Sequence, residues 1–311
     1  MRKSILSLAL LAIACVLSAV SAQAQPIRVF VALTGNDANP CTFASPCKSV
    51  QHAHDVVAAG GEVRMLDPGS YGLLTITKAI SILGDGHGGI AASNNATAIT
   101  INASANDVIN VRGLVIEGFG TGANGIKFNT GASLNIQDSI IRNFAVAGIW
   151  FTPTAASQLK VSQSVVSDLR LDTNGTAVEI APSGSGTADA VFSHVELDRG
   201  FDGLAVSGNT TTGSVKVTIA DSVISNFSDA GIISFSSDGA TQVMVRDCNV
   251  SNNVVGVESN GSPAIVRITK STITANGTGL LTFGGSLISF GDNSLAGNTT
   301  DGAPTSTIVL K

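Results

Sequence analysis

The chain has 311 residues, of which 13% are charged and 34 are glycine, whereas a typical soluble domain is about 25% charged. This low charge, together with 44% hydrophobic residues, excludes an intrinsically disordered protein, which combines high charge with low hydrophobicity. The net charge of −5 argues against nucleic acid or an anionic membrane as a partner, because both attract basic proteins.

Residues 1–24 have the pattern of a secretory signal peptide. Arg2 and Lys3 form the basic start, residues 5–20 the apolar run, and Ala22-Gln23-Ala24 the small-residue cleavage site. A membrane anchor is the alternative, but the run is shorter than the ~20 residues of a membrane span. We predict a secreted protein, extracellular or periplasmic, with no membrane span in the mature chain.

Export implies an oxidising compartment, in which disulfides persist. Cys41 and Cys47 flank a short segment, and we predict a disulfide that closes this loop and contributes about 2 kcal/mol at most. A zinc site that adds His52 and His54 is the alternative, since zinc takes four ligands in structural sites. Cys248 occupies a position where other repeats have serine, so we predict an inert core thiol.

The mature chain contains one good helix candidate, at residues 46–58. Its apolar stripe ends at the Gly60-Gly61 pair and consists of Val50, Ala53, Val56 and Val57. A short helix of this kind can cover the open end of a stacked β structure, where strand edges and core side chains would otherwise be exposed. In that position His52 and His54 are predicted to face solvent.

The remainder of the chain repeats itself. One apolar anchor position recurs at intervals of 22 to 31 residues: Ile116, Ile141, Val166, Leu197, Ile224, Val250, Ile273 and Leu295. Between anchors the apolar residues alternate with polar ones, which is the spacing of β-strands. Because so short a repeat cannot enclose its own core, it must stack on its neighbours. The sequence therefore predicts an all-β fold, a parallel β-helix.

Polar residues follow several anchors two positions later. They are Asn143, Asp168, Asn226 and Asn252, with Arg199 interrupting the series. Asn tolerates left-handed backbone and bonds to its own turn, so these residues predict a stacked row of turns. A catalytic or metal-binding row is the alternative. One position further on, Phe119, Phe144, Leu169 and Phe227 suggest an apolar row.

Residues 29–71 resemble the first segment of secreted, right-handed parallel β-helix proteins of the pectate-lyase-like superfamily. The matching pieces are Gly35-Asn36-Asp37, Pro46-Cys47-Lys48, Gly60-Gly61 and Pro68-Gly69-Ser70-Tyr71. Residues 80–86, ISILGDG, resemble the first complete coil of that superfamily. The resemblance implies right-handed coiling, with an N-terminal cap in residues 25–71 and a β-helix in residues 72–311.

The superfamily's reaction motifs are mostly missing. Gly86-His87-Gly88 resembles one motif of its polygalacturonase-like hydrolases, but their Asp-Asp pair and Asn-Thr-Asp motif are absent from the sequence. Its lyases use acidic clusters that bind calcium through several carboxylates. The densest acidic patch of this chain consists of Asp168, Asp172, Glu179, Asp198 and Asp202, near Arg170 and Arg199. No metal site is predicted, and calcium at this patch stays open as an alternative.

A ligand site is predicted on the outer surface instead. In strands of the Gly-Ile-x-Phe type the residue between two inward side chains points outward, which stacks Lys127, Trp150 and Glu179. An indole between a cation and a carboxylate suits a saccharide. Arg170 and Asp172, in the adjoining turn, are predicted to close over it. The alternative is a Trp150 covered by residues 152–158.

The predicted function is binding of extracellular or cell-surface polysaccharide by a secreted, monomeric β-helix. A lyase or glycoside hydrolase that acts on an acidic polysaccharide through a divergent site is the alternative. The sequence leaves open whether the protein is an enzyme, and it predicts no cofactor.

Overall fold

The computed structural model describes residues 25–172 and 175–308, so the proposed signal in residues 1–24 lies outside it. Parallel strands, numbered β1 to β29 in chain order, stack coil upon coil on three faces, and a short helix, α1, lies near the N-terminus. The predicted right-handed parallel β-helix with a capping helix is confirmed. No helix in the described ranges is long and apolar enough to cross a bilayer.

Face 1 is a 12-stranded parallel sheet. It contains β1 (Arg28–Val31), β2 (Gly61–Met65), β5 (Ile80–Leu83), β8 (Val108–Arg112), β10 (Ser133–Gln137), β12 (Ala156–Ser162), β15 (Thr187–Ser193), β18 (Ser214–Ala220), β21 (Ala240–Arg246), β24 (Ala264–Thr269), β27 (Ser286–Ser289) and β29 (Ser306–Thr307). Because β1 pairs with β2 and β2 with β5, stacking begins within the N-terminal segment.

Faces 2 and 3 complete each coil. Face 2 contains β3 (Gly69–Ser70), β6 (Gly88–Ala91), β13 (Val165–Ser167), β16 (Glu196–Gly200), β19 (Val223–Phe227), β22 (Asn249–Ser251), β25 (Thr272–Thr274) and β28 (Ser294–Leu295). Face 3 contains β4 (Leu74–Ile76), β7 (Thr97–Asn102), β14 (Thr176–Ile180), β17 (Leu204–Ser207), β20 (Ala230–Phe235), β23 (Val255–Asn260) and β26 (Thr278–Phe283). Two long strands, β9 (Val115–Thr130) and β11 (Ile140–Phe151), run through both faces.

The anchor row forms the core side of face 2. Each anchor is directly opposite the next, from Ile116 to Leu295, and Ile90 extends the row by one coil. Leu197 keeps this register although its repeat has an irregular sequence. The row is buried except at Leu295, which lies at the C-terminal end and is partly buried. Aliphatic residues therefore stack without interruption along the molecule.

The polar row after the anchors forms left-handed turns, as predicted. Asn143, Asp168, Asn226 and Asn252 have φ of 61°, 56°, 65° and 59°. Arg199 adopts the same conformation, with φ of 57°, so the turn geometry persists where the preferred residue type is missing. Asn and Asp carry the lowest cost in this conformation, which explains their recurrence.

Phe119 does not join the apolar row suggested by its spacing. The register between β9 and β11 shifts on either side of Phe144, which lies opposite Gly122. Phe119 is left in a left-handed turn with 66% of its surface exposed, whereas Phe144 is fully buried. Extra residues in this coil bulge outward, and the spacing of the apolar residues does not reveal that bulge.

An asparagine row lies inside the last coils, where Asn253, Asn276 and Asn298 each follow an anchor by three positions. We did not predict this row, although its regular spacing could have revealed it. Asn276 Oδ1 accepts the Asn253 backbone N–H at 3.0 Å, and Asn298 Oδ1 accepts that of Asn276 at 3.0 Å. The Asn276 amide also donates to the Val250 carbonyl at 3.0 Å. The row ends at Asn253, whose Oδ1 accepts the backbone N–H of Phe227 in the preceding coil at 3.0 Å. Side-chain amides thus replace apolar packing at this corner of the C-terminal coils.

The cysteines follow the prediction. Cys41 and Cys47 form a disulfide, so their sulfurs are not available as zinc ligands, although the nearest ligand atom of His52 lies within 4.8 Å of them. Cys248 is a free, buried thiol in the serine row, and it donates to the Arg246 carbonyl at 3.1 Å. Burial raises the pKa of Cys248 to about 11, which keeps the thiol protonated and unreactive.

The capping helix is shorter than predicted: α1 spans Val50–Val56. Ser49 is the N-cap residue of this helix, since its Oγ accepts the His52 N–H at 3.2 Å. The prediction that His54 faces solvent is wrong, since His54 is 3% exposed. One helical turn separates it from Val50, so both lie on the buried side, and its Nε2 accepts the Thr77 N–H at 3.2 Å.

Candidate functional site

The predicted row of outward side chains on face 3 is in register. Trp150 lies opposite Lys127 on one side and Glu179 on the other, and Ala205, Ile233 and Glu258 continue the row. The flanking residues Ile149 and Phe151 are fully buried, as strand alternation requires. Neighbouring coils are roughly 4.8 Å apart, so the ammonium, the indole and the carboxylate form one continuous surface.

Trp150 is partly covered by Lys127. The Lys127 Nζ lies 4.2 Å from the centre of the indole ring, a cation–π contact. The Trp150 Nε1 is buried and finds no hydrogen-bond partner in the described residues. The Trp150 side chain therefore lies outside the core, but Lys127 covers one side of its indole ring. A ligand that binds at the ring has to contact Lys127 as well.

Arg170 and Asp172 form an ion pair with each other. Their turn bonds to coils on both sides: the Arg170 N–H donates to the Phe144 carbonyl at 3.2 Å, and the carbonyl of the intervening Leu171 accepts a bond from Ser228 Oγ at 2.7 Å. Ser228 lies two coils beyond Glu179, on the side opposite Trp150. The structure thus brings Lys127, Trp150 and Glu179 together, whereas Arg170 and Asp172 pair with each other in the turn that precedes the Glu179 strand.

The acidic patch that the sequence indicated divides into two sets. Asp168 pairs with Arg199 at 3.0 Å, Asp172 pairs with Arg170, and Asp198 accepts a bond from Ser225 Oγ at 2.9 Å. These three carboxylates are already occupied by protein groups.

Glu179 and Asp202 remain, and they join Asp229 and Glu258 in a carboxylate group that the sequence patch did not include. Burial raises the pKa of Glu179 and that of Glu258. Burial is also the main reason that the pKa of Asp202 rises to about 7, and the other three carboxylates raise it further, against a bond from the Ala230 N–H. No Lys or Arg in the described chain forms a salt bridge with these four carboxylates. Glu258 could have been found from its place in the outward row, whereas Asp229 had no sequence signal.

Face 1 carries a separate shallow groove of about 290 Å³. Its polar residues include Asp189, Lys216 and Gln242, which stack in register, and Arg267 from the next coil. Strand alternation predicts that these side chains point outward, but no single residue marked this groove in the sequence.

Searches of known protein families and of curated proteins find no match to this chain. Among solved structures, pectate lyase Pel9A is similar with a TM-score of 0.53 and 16% identity, over 87% of this chain and 73% of that one. The chain has the fold of pectate-lyase-like proteins.

Two further structures overlap less well in three dimensions. The A-module of the Azotobacter vinelandii mannuronan C-5 epimerase AlgE4 has a TM-score of 0.44 and 15% identity, over 84% of this chain and 95% of that one. The pectin methylesterase PemA from Erwinia chrysanthemi has a TM-score of 0.47 and 14% identity, over 74% and 80%. At 16% identity the similarity to pectate lyase Pel9A shows the fold alone, and one fold serves many functions.

Proposed function

We propose that this protein is exported and binds polysaccharide along the outer surface of face 3. The observation that carries the proposal is the in-register contact of Lys127, Trp150 and Glu179. Saccharides combine apolar C–H faces with hydroxyl groups, so they bind where an aromatic side chain lies beside charged or polar groups. The disulfide between Cys41 and Cys47 fits the oxidising compartment that export implies, and pectate lyase Pel9A, whose fold the chain shares, is named for a polysaccharide.

In this arrangement each group has one task. The Lys127 ammonium donates to sugar hydroxyls while the edge and free part of the indole support the ring. Glu179, which accepts no hydrogen bond from the described residues, gains a hydroxyl donor from the ligand. Arg170 and Asp172, in the turn that precedes the Glu179 strand, contact an adjoining sugar unit.

Trp150→Ala is expected to abolish polysaccharide binding and leave the fold intact, because Trp150 belongs to the outer surface. Trp150 is also the only tryptophan of the chain, so its fluorescence reports binding in the unaltered protein. The measurement is fluorescence titration with a panel of polysaccharides, followed by calorimetry on the variant. Lys216→Ala, on face 1, is the matched control and should leave the affinity unchanged.

Two results would contradict this site. The first is tryptophan fluorescence that no polysaccharide changes. The second is binding that survives Trp150→Ala. If that binding is lost in Lys216→Ala, the ligand lies in the face 1 groove.

Hydrolysis is a second candidate, favoured by one observation. With a pKa of about 7, Asp202 is partly protonated at neutral pH, and it lies in the same group as carboxylates with no cationic partner in the described chain. A glycoside hydrolase needs one protonated and one ionised carboxyl group across the scissile bond, and Asp202 with Glu258 or Glu179 would supply them. A lyase is less well supported, since the group contains no basic residue to remove a proton.

Asp202→Asn is expected to abolish any release of reducing ends and also to change the pH dependence of stability. Between about pH 4 and 7 the unfolded carboxyl loses its proton while the folded one keeps it, so wild-type stability falls as pH rises. The asparagine variant should show a smaller fall, because only Glu179 and Glu258 then have a raised pKa, and it should be the more stable protein above pH 7. Melting temperatures from pH 4 to 8 test this, with exposed Asp189→Asn as the control. Parallel curves for wild type and Asp202→Asn would refute the assignment.

A further inference from the structure

A second recess lies on face 3, three coils beyond Trp150. It has a volume of about 550 Å³, within the range of small-molecule sites. Ile233 and Phe235 form its floor, and Asn209, Asn260 and Pro263 are among the residues that line its sides. Because Ile233 belongs to the outward row that contains Glu179 and Glu258, the recess continues the proposed polysaccharide-binding surface.

Local backbone geometry builds this recess. In β20 the outward residues Ile233 and Phe235 alternate with Ser234, which is fully buried and shares a hydrogen bond with Thr241 Oγ1 at 2.8 Å. The wall turns sharply at Gly261, whose φ is 86°. A Cβ at this position would lie 1.9 Å from the Ser236 carbonyl oxygen. Only glycine therefore allows the backbone at residue 261 to approach Ser236 this closely.

Hydrogen bonds orient two amide side chains of the recess, those of Asn209 and Asn260, which line it together with the Phe235 ring. Asn209 Oδ1 accepts the Ser237 N–H at 2.8 Å, which leaves the Asn209 amide N–H groups as donors. Asn260 Nδ2 donates to Glu258 Oε1 at 3.4 Å, which leaves Asn260 Oδ1 as an acceptor. The recess therefore combines one apolar ring face with a donor and an acceptor.

The charge of the recess limits its ligand. No Lys or Arg is among its lining residues in the described chain, and Glu258, 8% exposed, lies beside Asn260. A carboxylated sugar would be repelled there, and its charge would lose hydration without gaining a cation. We propose that this recess is a subsite for an uncharged sugar unit, held by stacking on Phe235 and by hydrogen bonds to Asn209 and Asn260. The assignment rests on the proposed function of face 3.

Calorimetry with neutral oligosaccharides of glucan, xylan and mannan, and with an oligogalacturonate, tests this subsite. Phe235→Ala and Asn260→Ala are each expected to weaken binding of the neutral ligand at least ten-fold. Phe119→Ala, which removes the same ring from an exposed turn several coils away, should leave the affinity unchanged. If Phe235→Ala lowers the melting temperature, Asn209→Ala replaces it, since Asn209 is exposed.

The outcomes separate the subsite from the wider proposal. Binding of a neutral ligand that is lost in Trp150→Ala but unaffected by Phe235→Ala and Asn260→Ala overturns the subsite and leaves the function standing. If only oligogalacturonate binds, the proposal of an uncharged ligand is wrong, while the proposed binding of polysaccharide along face 3 is unaffected. If neither class of ligand binds, both proposals fail.

Discussion

Ile141→Asp is expected to abolish cooperative folding of the β-helix. Ile141 is fully buried and lies between Ile116 and Val166 in the anchor row. A carboxylate there would face aliphatic side chains from both adjoining coils, without a hydrogen-bond donor or a cation. Burying an unpaired charge is among the few single changes that cost more than about 4 kcal/mol, a large share of the stability of most proteins.

Urea denaturation followed by circular dichroism measures this effect, with Lys127→Ala as the comparison. Lys127 lies in a neighbouring coil on the outer surface, and its removal loses one cation–π contact, worth up to about 1 kcal/mol at an exposed site. Equal denaturation midpoints for the two variants would show that the assigned facing of these strands is incorrect.

Asn276→Ala is the second large effect, and it should destabilise the C-terminal coils by several kcal/mol. Asn276 is 2% exposed, and its side chain bonds to Asn253, Val250 and Asn298. Alanine would leave the buried Asn253 N–H without its partner, at about 1–3 kcal/mol, and would also remove the amide's bonds to Val250 and Asn298.

The control for this variant is Asn249→Ala, which removes the same amide from an exposed strand position and should change stability by less than about 0.5 kcal/mol. Hydrogen exchange measured by mass spectrometry would locate the effect, since loss of the row should raise exchange in residues 249–298 before the earlier coils. Uniform exchange along the whole molecule would contradict a local role for the asparagine row.

The coil period, the anchor row and the direction of the face 3 side chains could all be predicted from the amino-acid sequence. Stacked parallel strands repeat the same inward and outward alternation in every coil, so residues such as Ile141 and Trp150 could be placed from spacing alone. The Cys41–Cys47 disulfide was also predictable, because the loop between these residues is short and lies in one segment.

Which polar groups meet depends on how the coils stack in three dimensions. Asp229 and Glu258 join Glu179 and Asp202 because four coils stack with particular turn lengths, and the pKa of about 7 at Asp202 results from burial that no linear pattern records. Phe119 lies outside the core because extra residues in its coil form a bulge. Asn276 keeps the spacing that Phe144 has after its anchor, and its buried amide bonds to the Val250 carbonyl and to Asn298. The sequence repeat therefore specified the scaffold, while irregular turns and burial specified its chemical surface.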